Sequence, residues 1–240
     1  MKPYNSQKTK KEEVRDMFNN IAPTYDRLNH IFSFSIDRLW RSRVVRLVRR
    51  MKPQRIMDLA TGTGDLAIKM AKRIPKAHIM GVDLSENMLA VAADKVRRKG
   101  LDDHIALYQG EAERLDVGDD VLDVVTIAFG VRNFGDIDGS LREIARALQK
   151  GGHLVILEFS TPRNPIVRHL YRLYSNHVMK PVGGIVSKDK KAYNYLPDSI
   201  EEFPDPERFL DIMRHAGFEQ CRRKSLSMGI AQIYIAQKPA

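Results

Sequence analysis

The segment Asp58-Leu59-Ala60-Thr61-Gly62-Thr63-Gly64-Asp65 carries the first chemical signal in the chain. Gly62 and Gly64 let the backbone turn sharply and approach a ligand, and a helix beginning at Asp65 would offer unpaired N–H groups beside them. Nineteen residues beyond Gly64 stands Asp83, with Ser85 in N-cap position for a further helix. A carboxylate there is placed to accept hydrogen bonds from both hydroxyls of a ribose. A glycine turn alone is also an ordinary strand-to-helix connection. The acid at this spacing turns it into a nucleoside site.

The turn by itself does not choose the nucleoside, because Gly62-x-Gly64-x-x-Ala67 also satisfies the dinucleotide fingerprint. Asp58, four residues before Gly62, decides more: with Asp65 it would repel a pyrophosphate and favour a cation. S-Adenosyl-L-methionine has a sulfonium, an ammonium group and no phosphate, and is the expected cofactor. A third station, Gln109-Gly110-Glu111-Ala112-Glu113, follows another apolar run, where a backbone N–H and the Glu111 side chain would read the adenine.

The elements that must position these residues alternate. The pattern predicts strands over Ile56–Ala60, Ala77–Asp83, Ile105–Gln109, Val121–Phe129 and His153–Phe159, and helices over Asp65–Arg73, Glu86–Lys99 and Ile137–Gln149. Strands apolar along their whole length, alternating with helices, predict an α/β doubly wound, mostly parallel sheet covered on both faces. After a helix over Pro206–His215, strands Glu219–Ser227 and Ile230–Gln237 joined by Met228-Gly229 must pair antiparallel. The expected organisation is one domain over 1–240: N-terminal helices in 1–52, a cofactor-binding core in 53–160, an inserted lid or substrate wall in 161–204, and a closing helix and hairpin in 205–240. The insertion carries Tyr171, Tyr174, Tyr193, Tyr195 and His177.

Forty Lys and Arg against 30 Asp and Glu leave a net charge of +10 over 240 residues, which points to a polyanionic neighbour. Arg38, Arg41, Arg43, Arg46, Arg49, Arg50 and Lys52 lie within Asp37–Lys52 beside a stripe of Trp40, Val44, Leu47, Val48 and Met51. This is a basic amphipathic helix, either a solvated surface helix or a contact with a membrane or acidic partner, with Trp40 near the interface. One cysteine, Cys221, excludes disulfide frameworks and Cys-based zinc sites, and seven scattered histidines have no metal-ligand spacing. No apolar run reaches the roughly 20 residues of a membrane span and Met1-Lys2-Pro3-Tyr4-Asn5 is no signal peptide, so a cytoplasmic protein is expected.

The chain closely resembles the C-methyltransferases of ubiquinone and menaquinone biosynthesis, class I S-adenosylmethionine-dependent enzymes with a Rossmann-like fold. The resemblance rests on the run Met17–Asn29 with Tyr25-Asp26, on Arg38-Leu39-Trp40-Arg41, on the Asp58–Asp65 turn and on Ala128-Phe129-Gly130-Val131-Arg132-Asn133. It continues in the Leu148-x-x-Gly151-Gly152 turn, Leu157-Glu158-Phe159-Ser160, Tyr193-Asn194-Tyr195-Leu196-Pro197 and Ala216-Gly217-Phe218. It implies cofactor contacts from Thr63, Asp83, Glu111 and Ala112, beside those read above for Asp58, Gly62 and Gly64. Thr61, Glu111 and Ala128 depart from the family's more usual Gly, Asn or Asp, and Ser.

The reaction it implies is methylation of a ring carbon of a reduced, prenylated quinone: demethylmenaquinol to menaquinol, with a ubiquinol precursor as a further substrate. A phenolic carbon becomes nucleophilic when its hydroxyl loses a proton, so Arg132 is expected to stabilise the phenolate and Asn133 to orient a water or the second hydroxyl. Tyr25, His177 and Tyr195 are candidates for the base. No metal is needed. A nucleic-acid methyltransferase is the main alternative, but residues 128–131 read Ala-Phe-Gly-Val where amine-methylating enzymes carry an Asn/Asp-Pro-Pro-aromatic tetrad. A regulatory binding module and a dehydrogenase are further alternatives. The expected partners are therefore the quinol and, transiently, an anionic membrane surface at the inner face of the cell membrane, not nucleic acid, with homo-oligomerisation open.

Overall fold

Along β1 (Arg55–Leu59) successive side chains point to opposite faces, with Ile56 on one and Met57 and Leu59 on the other, so the strand is stable only with a layer on each side. The computed structural model, which describes residues 1–174 and 190–240, supplies both layers. β1 pairs in parallel with β2 (His78–Asp83) and β4 (Leu122–Ala128), β2 with β3 (Ile105–Gln109), and β4 with β5 (Leu148–Phe159). β7 (Ala231–Gln237) runs antiparallel between β5 and β6 (Glu219–Leu226). The order is β3-β2-β1-β4-β5-β7-β6. It reverses between β1 and β4, which is where ligands enter such sheets.

The alternation sorts the core into two halves. Ile56, Ile79, Val124, Val155 and Ile235 face α3 (Ile36–Met51) and α4 (Asp65–Arg73), with Val96 of α5 (Glu86–Arg98). Met57, Val125, Leu154, Ile156 and Tyr234 face α6 (Ile137–Ala147) and the helix Pro206–His215. A third, smaller cluster lies over the C-terminal edge of the sheet. There α1 (Lys10–Ile21) and α2 (Tyr25–Phe32) pack Val14, Met17, Leu28 and Phe32 against Met88, and against Ala192 and Tyr195 of α8 (Lys190–Glu202). Together with α7 (Pro165–Tyr174), α8 forms the described part of the insertion; the final helix, Pro206–His215, is α9.

Local chemistry explains the boundaries. Ser85 caps α5 by accepting from the Met88 N–H, Asp136 caps α6, and Asp205 caps α9 with Pro206 in its first turn. The α6 helix ends at Ala147, two residues before the sequence expectation, because Leu148 already pairs with Leu122. α3 corrects the sequence expectation twice. Trp40 is 3% exposed, packing on Phe129 and Phe159 with Nε1 donating to Ser227 Oγ, so it is a core residue rather than an interfacial one. Arg41 is buried too, ion-paired with Asp37 one turn earlier, so the exposed basic face is Arg38, Arg43, Arg46, Arg49, Arg50 and Lys52.

Candidate functional site

Two cavities open over the C-terminal ends of β1, β2, β4 and β5. The first, of about 710 Å³, is bounded by the β1–α4 turn at Ala60 and Gly62, by Asp83, by Glu111 and Ala112, and by α1. Ala60 and Gly62 both have positive φ, and a Cβ at Gly62 would meet nothing within 4 Å, so bare backbone faces the space. Asp83 closes the turn: Oδ2 accepts from the Gly62 N–H at 2.7 Å and Oδ1 from the Ser85 N–H at 2.9 Å. Burial pushes its carboxyl above the usual range, opposed by these backbone donors. Each oxygen keeps acceptor capacity for a hydroxyl.

The other expected residues divide. Glu111 and Ala112 line the cavity, and Glu111 is ion-paired with Lys11 of α1. Gly64 is the left-handed cap of α4, its α-carbon turned to Ala92. Asp58 and Thr63 lie elsewhere. Asp58 is 1% exposed beneath the turn, both oxygens taken by the hydroxyls of Thr61 and Thr126, and burial raises its pKa to about 6. One hydroxyl comes from Thr126, its register partner on β4, and the other from Thr61 in the turn that follows β1. Thr63 is 2% exposed and donates to Asp26 of α2 at 2.5 Å, with Lys95 donating to both. Among the described residues, the acids that face the cavity are Asp83, Glu111 and Glu113, and the one cation, Lys11, is ion-paired with Glu111. That lining disfavours a phosphate and fits a nucleoside bearing cationic groups.

The second cavity, of about 1180 Å³, is walled mainly by apolar and aromatic residues of α1, α2, α3, α8 and the strand ends. Phe18, Tyr25, Phe129 and Asn133 line both cavities. Phe129 holds this wall from a left-handed conformation, φ +62°, stacked on Phe159 with centroids 4.5 Å apart and with the Arg41 guanidinium over its ring at 5.3 Å.

Arg132 and Asn133 stand on a short 3₁₀ turn, Val131–Asn133, just past β4. Burial opposes the Arg132 charge, but Glu158 at 2.7 Å overcomes it and holds the guanidinium charged. Arg132 also donates to Phe129 O and Ser199 Oγ, leaving Nη2 without a partner among the described residues. Tyr195 donates to Asn133 Oδ1 at 3.1 Å, and Asn133 Nδ2 is buried with no partner among the described residues. Burial raises Tyr25, and Tyr195 to about 12, so both keep their protons at neutral pH and serve as donors. His177 lies outside the described residues.

Sequence reasoning missed Glu158, Arg41, Asp37 and the two lysines of α1. Glu158, an acid directly after the apolar run Leu154–Leu157 of β5, was a readable signal, as was the i,i+4 pair Asp37–Arg41. Lys10, whose Nζ donates to Phe134 O at 3.0 Å and Arg132 O at 3.3 Å, gave none.

The profile of the ubiE/COQ5 methyltransferase family matches residues 6–238. The chain belongs to this family. It is 41% identical to a demethylmenaquinone methyltransferase of Bacteroides fragilis, over 99% of this chain and 97% of that one. With a protein of the same name from Thermus thermophilus it shares 43% identity over 93% of this chain and 100% of that one. It is also 44% identical to a ubiquinone/menaquinone biosynthesis C-methyltransferase, UbiE, of Syntrophotalea carbinolica, over 93% of each. The solved structure of the [4+2]-cyclase SpnF superposes with a TM-score of 0.70 at 18% identity over 96% of both chains. That of a SAM-dependent methyltransferase from Aquifex aeolicus gives 0.54 at 17%, over 77% of this chain and 81% of that one. The fold is the Rossmann-like class I methyltransferase fold, and S-adenosyl-L-methionine is the cofactor that this family membership and the acid-lined cavity agree on.

Proposed function

We propose that this enzyme methylates a ring carbon of a prenylated quinol, with demethylmenaquinol as the substrate and the smaller cavity holding S-adenosylmethionine. The observation that carries the reading is the shared wall: a cavity that carries the acids Asp83, Glu111 and Glu113 and a larger one walled mainly by apolar and aromatic side chains meet at Phe18, Tyr25, Phe129 and Asn133. A water-soluble cofactor and an apolar ring thus gain separate compartments with one meeting point. Two relatives named demethylmenaquinone methyltransferase favour the naphthoquinol, and the relative whose name covers both quinones motivates the benzoquinol as a second reading.

Asp83 would hold the ribose, Gly62 the turn beside it, and Glu111 and Ala112 the adenine edge. When bound, the cofactor supplies an electrophilic methyl group on its sulfonium. The chain's part is to make the ring carbon nucleophilic. Arg132, held charged in a buried setting, favours the ionised form of a ring hydroxyl beside it, and Asn133 Nδ2 offers the donor that a second ring oxygen needs. Tyr25, protonated and at the junction of the cavities, supplies a further donor. Phe129 and Phe18 exclude water between the compartments.

The exposed arginines of α3 would draw the enzyme to anionic lipid, where such a quinol resides, giving salt-sensitive peripheral association. Incubation with labelled cofactor and either reduced demethylmenaquinone, the corresponding benzoquinol or RNA tests the whole reading. Label in the lipid extract, greater with the naphthoquinol, is the expected result; label only in RNA overturns it.

A further inference from the structure

Apolar side chains left in water cost free energy, and a contiguous group of them at the mouth of a cavity has a use or a partner. Phe34 and Ile36 both line the larger cavity and remain 75% and 37% exposed, so they mark its mouth. Three elements meet there. The α2–α3 turn brings Phe34 against Tyr174 at the end of α7, with centroids 5.8 Å apart. The β6–β7 turn brings Ser227 and Ile230 to the cavity wall and Gly229 within reach of Pro162, just before α7. Around this opening Leu39, Ile166, Leu170 and Met228 are 61%, 70%, 60% and 75% exposed. Ile166, Leu170 and Leu173 fall at i, i+4 and i+7, a single apolar stripe along α7.

The charges beside this rim are mainly cationic: Arg38 next to Leu39, and Arg163 and Arg168 flanking Ile166, all exposed, with Glu207 3.6 Å from Arg163 as the acid nearby. An apolar surface fringed by arginines is complementary to one chemistry, an anionic bilayer, with side chains among the acyl chains and guanidinium groups at the phosphates. It is also continuous with the cavity assigned to the prenylated ring. We infer that this rim, formed by Phe34, Ile36, Leu39, the α7 stripe and Met228, inserts into the membrane and opens the larger cavity directly to the lipid phase. The quinol ring then enters from the bilayer without crossing water, its prenyl tail still in lipid. This deepens the functional reading, on which it rests, and it moves the membrane contact from the arginine-rich back of α3 to the first turn of that helix.

The experiment uses the full chain and three exposed positions away from the cavity wall, in the triple variant Leu39→Ser, Ile166→Ser, Leu170→Ser. Sedimentation with phosphatidylcholine vesicles, with and without phosphatidylglycerol, reads binding. Methylation is measured on a quinol with a single isoprene unit in solution and on a long-chain quinol in the vesicles. The triple variant is expected to lose roughly tenfold or more in vesicle partitioning, to turn over the soluble quinol like the unaltered enzyme, and to lose activity on the embedded one. Unchanged vesicle binding overturns the inference, the more so if Arg43→Glu with Arg46→Glu abolishes it. Conversion of a dimer to a monomer by the triple variant, read by light scattering, also overturns it, assigning the rim to a second copy. If neither quinol is methylated by the unaltered enzyme, the functional reading fails, whereas the vesicle arm still judges the rim.

Discussion

The two cavities share four residues yet are built in opposite ways. The smaller one is assembled from the ends of consecutive sheet elements, Gly62 after β1, Asp83 at the end of β2 and Glu111 after β3, with α1 laid over it. The larger takes its walls from α1 to α3, from α8 and from strand ends, so that residues more than 100 positions apart, such as Ile36 of α3 and Ile230 before β7, share it. One sets three acids beside a turn fixed by the backbone hydrogen bonds of Asp83, and the other is walled mainly by packed apolar and aromatic side chains. On the proposed function, the difference teaches that cofactor geometry would be set locally by the turns of the sheet, and substrate geometry by how outlying helices dock on it.

If the compartments are separate, damage should stay within one of them. Replacing Arg132 alone would strand the buried Glu158, so the pair Arg132→Gln, Glu158→Gln is the cleaner test. Turnover should fall roughly 10²- to 10³-fold as a buried cation facing the developing phenolate is lost. Cofactor affinity, read by calorimetry, should barely change; an equal loss of both would dissolve the distinction. Asp83→Ala should do the reverse. Loss of its backbone bonds and of its ribose contact should weaken cofactor binding about 100-fold, at about 1.5–3 kcal/mol for each charged hydrogen bond, with the quinol KM unchanged in steady-state kinetics.

Asp58 sharpens the comparison from beneath. Its folded pKa of about 6 lies above the ordinary carboxylate value, so the folded protein binds the extra proton between these values. That contribution, roughly 2–3 kcal/mol, is fully present below the unfolded pKa of about 4 and is lost as pH rises through 6. Asp58→Asn should remove this loss, raising Tm relative to the unaltered protein at pH 8 but not at pH 4, with cofactor affinity intact. A fall in affinity would return Asp58 to the cofactor site. The smallest effect is expected at Lys11→Ala, since Lys11 and Glu111 are both more than a third exposed at the side chain. Their tie should be worth at most about 1 kcal/mol, read as a few-fold faster cofactor release in stopped-flow.

The core of the fold was legible because strand and helix periodicity are local. α4, β3 and α9 match their expected boundaries residue for residue, and the tight hairpin of β6 and β7 could only be antiparallel. The site was legible in part. Gly62, Asp83, Glu111 and Ala112 reach the smaller cavity as their spacing after strands requires, and Arg132, Asn133 and Tyr25 reach the larger. Asp58, expected from its spacing, and Thr63, expected from the resemblance, lie off the lining of the smaller cavity, held by Thr61 and Thr126 and by Asp26, because neither signal says which hydroxyl or helix engages a side chain.

By itself, then, the sequence determined the parallel sheet, the turn after β1 and the acids after β2 and β3, because each depends on residues a few positions apart. Only the tertiary structure decided that Trp40 and Arg41 turn inward, that Glu158 keeps Arg132 charged in a buried setting, and that Tyr195 takes Asn133 Oδ1 while its Nδ2 has no partner among the described residues. Each of those outcomes depends on what desolvates or pairs a side chain, and the partner comes from a distant element that local patterning does not register.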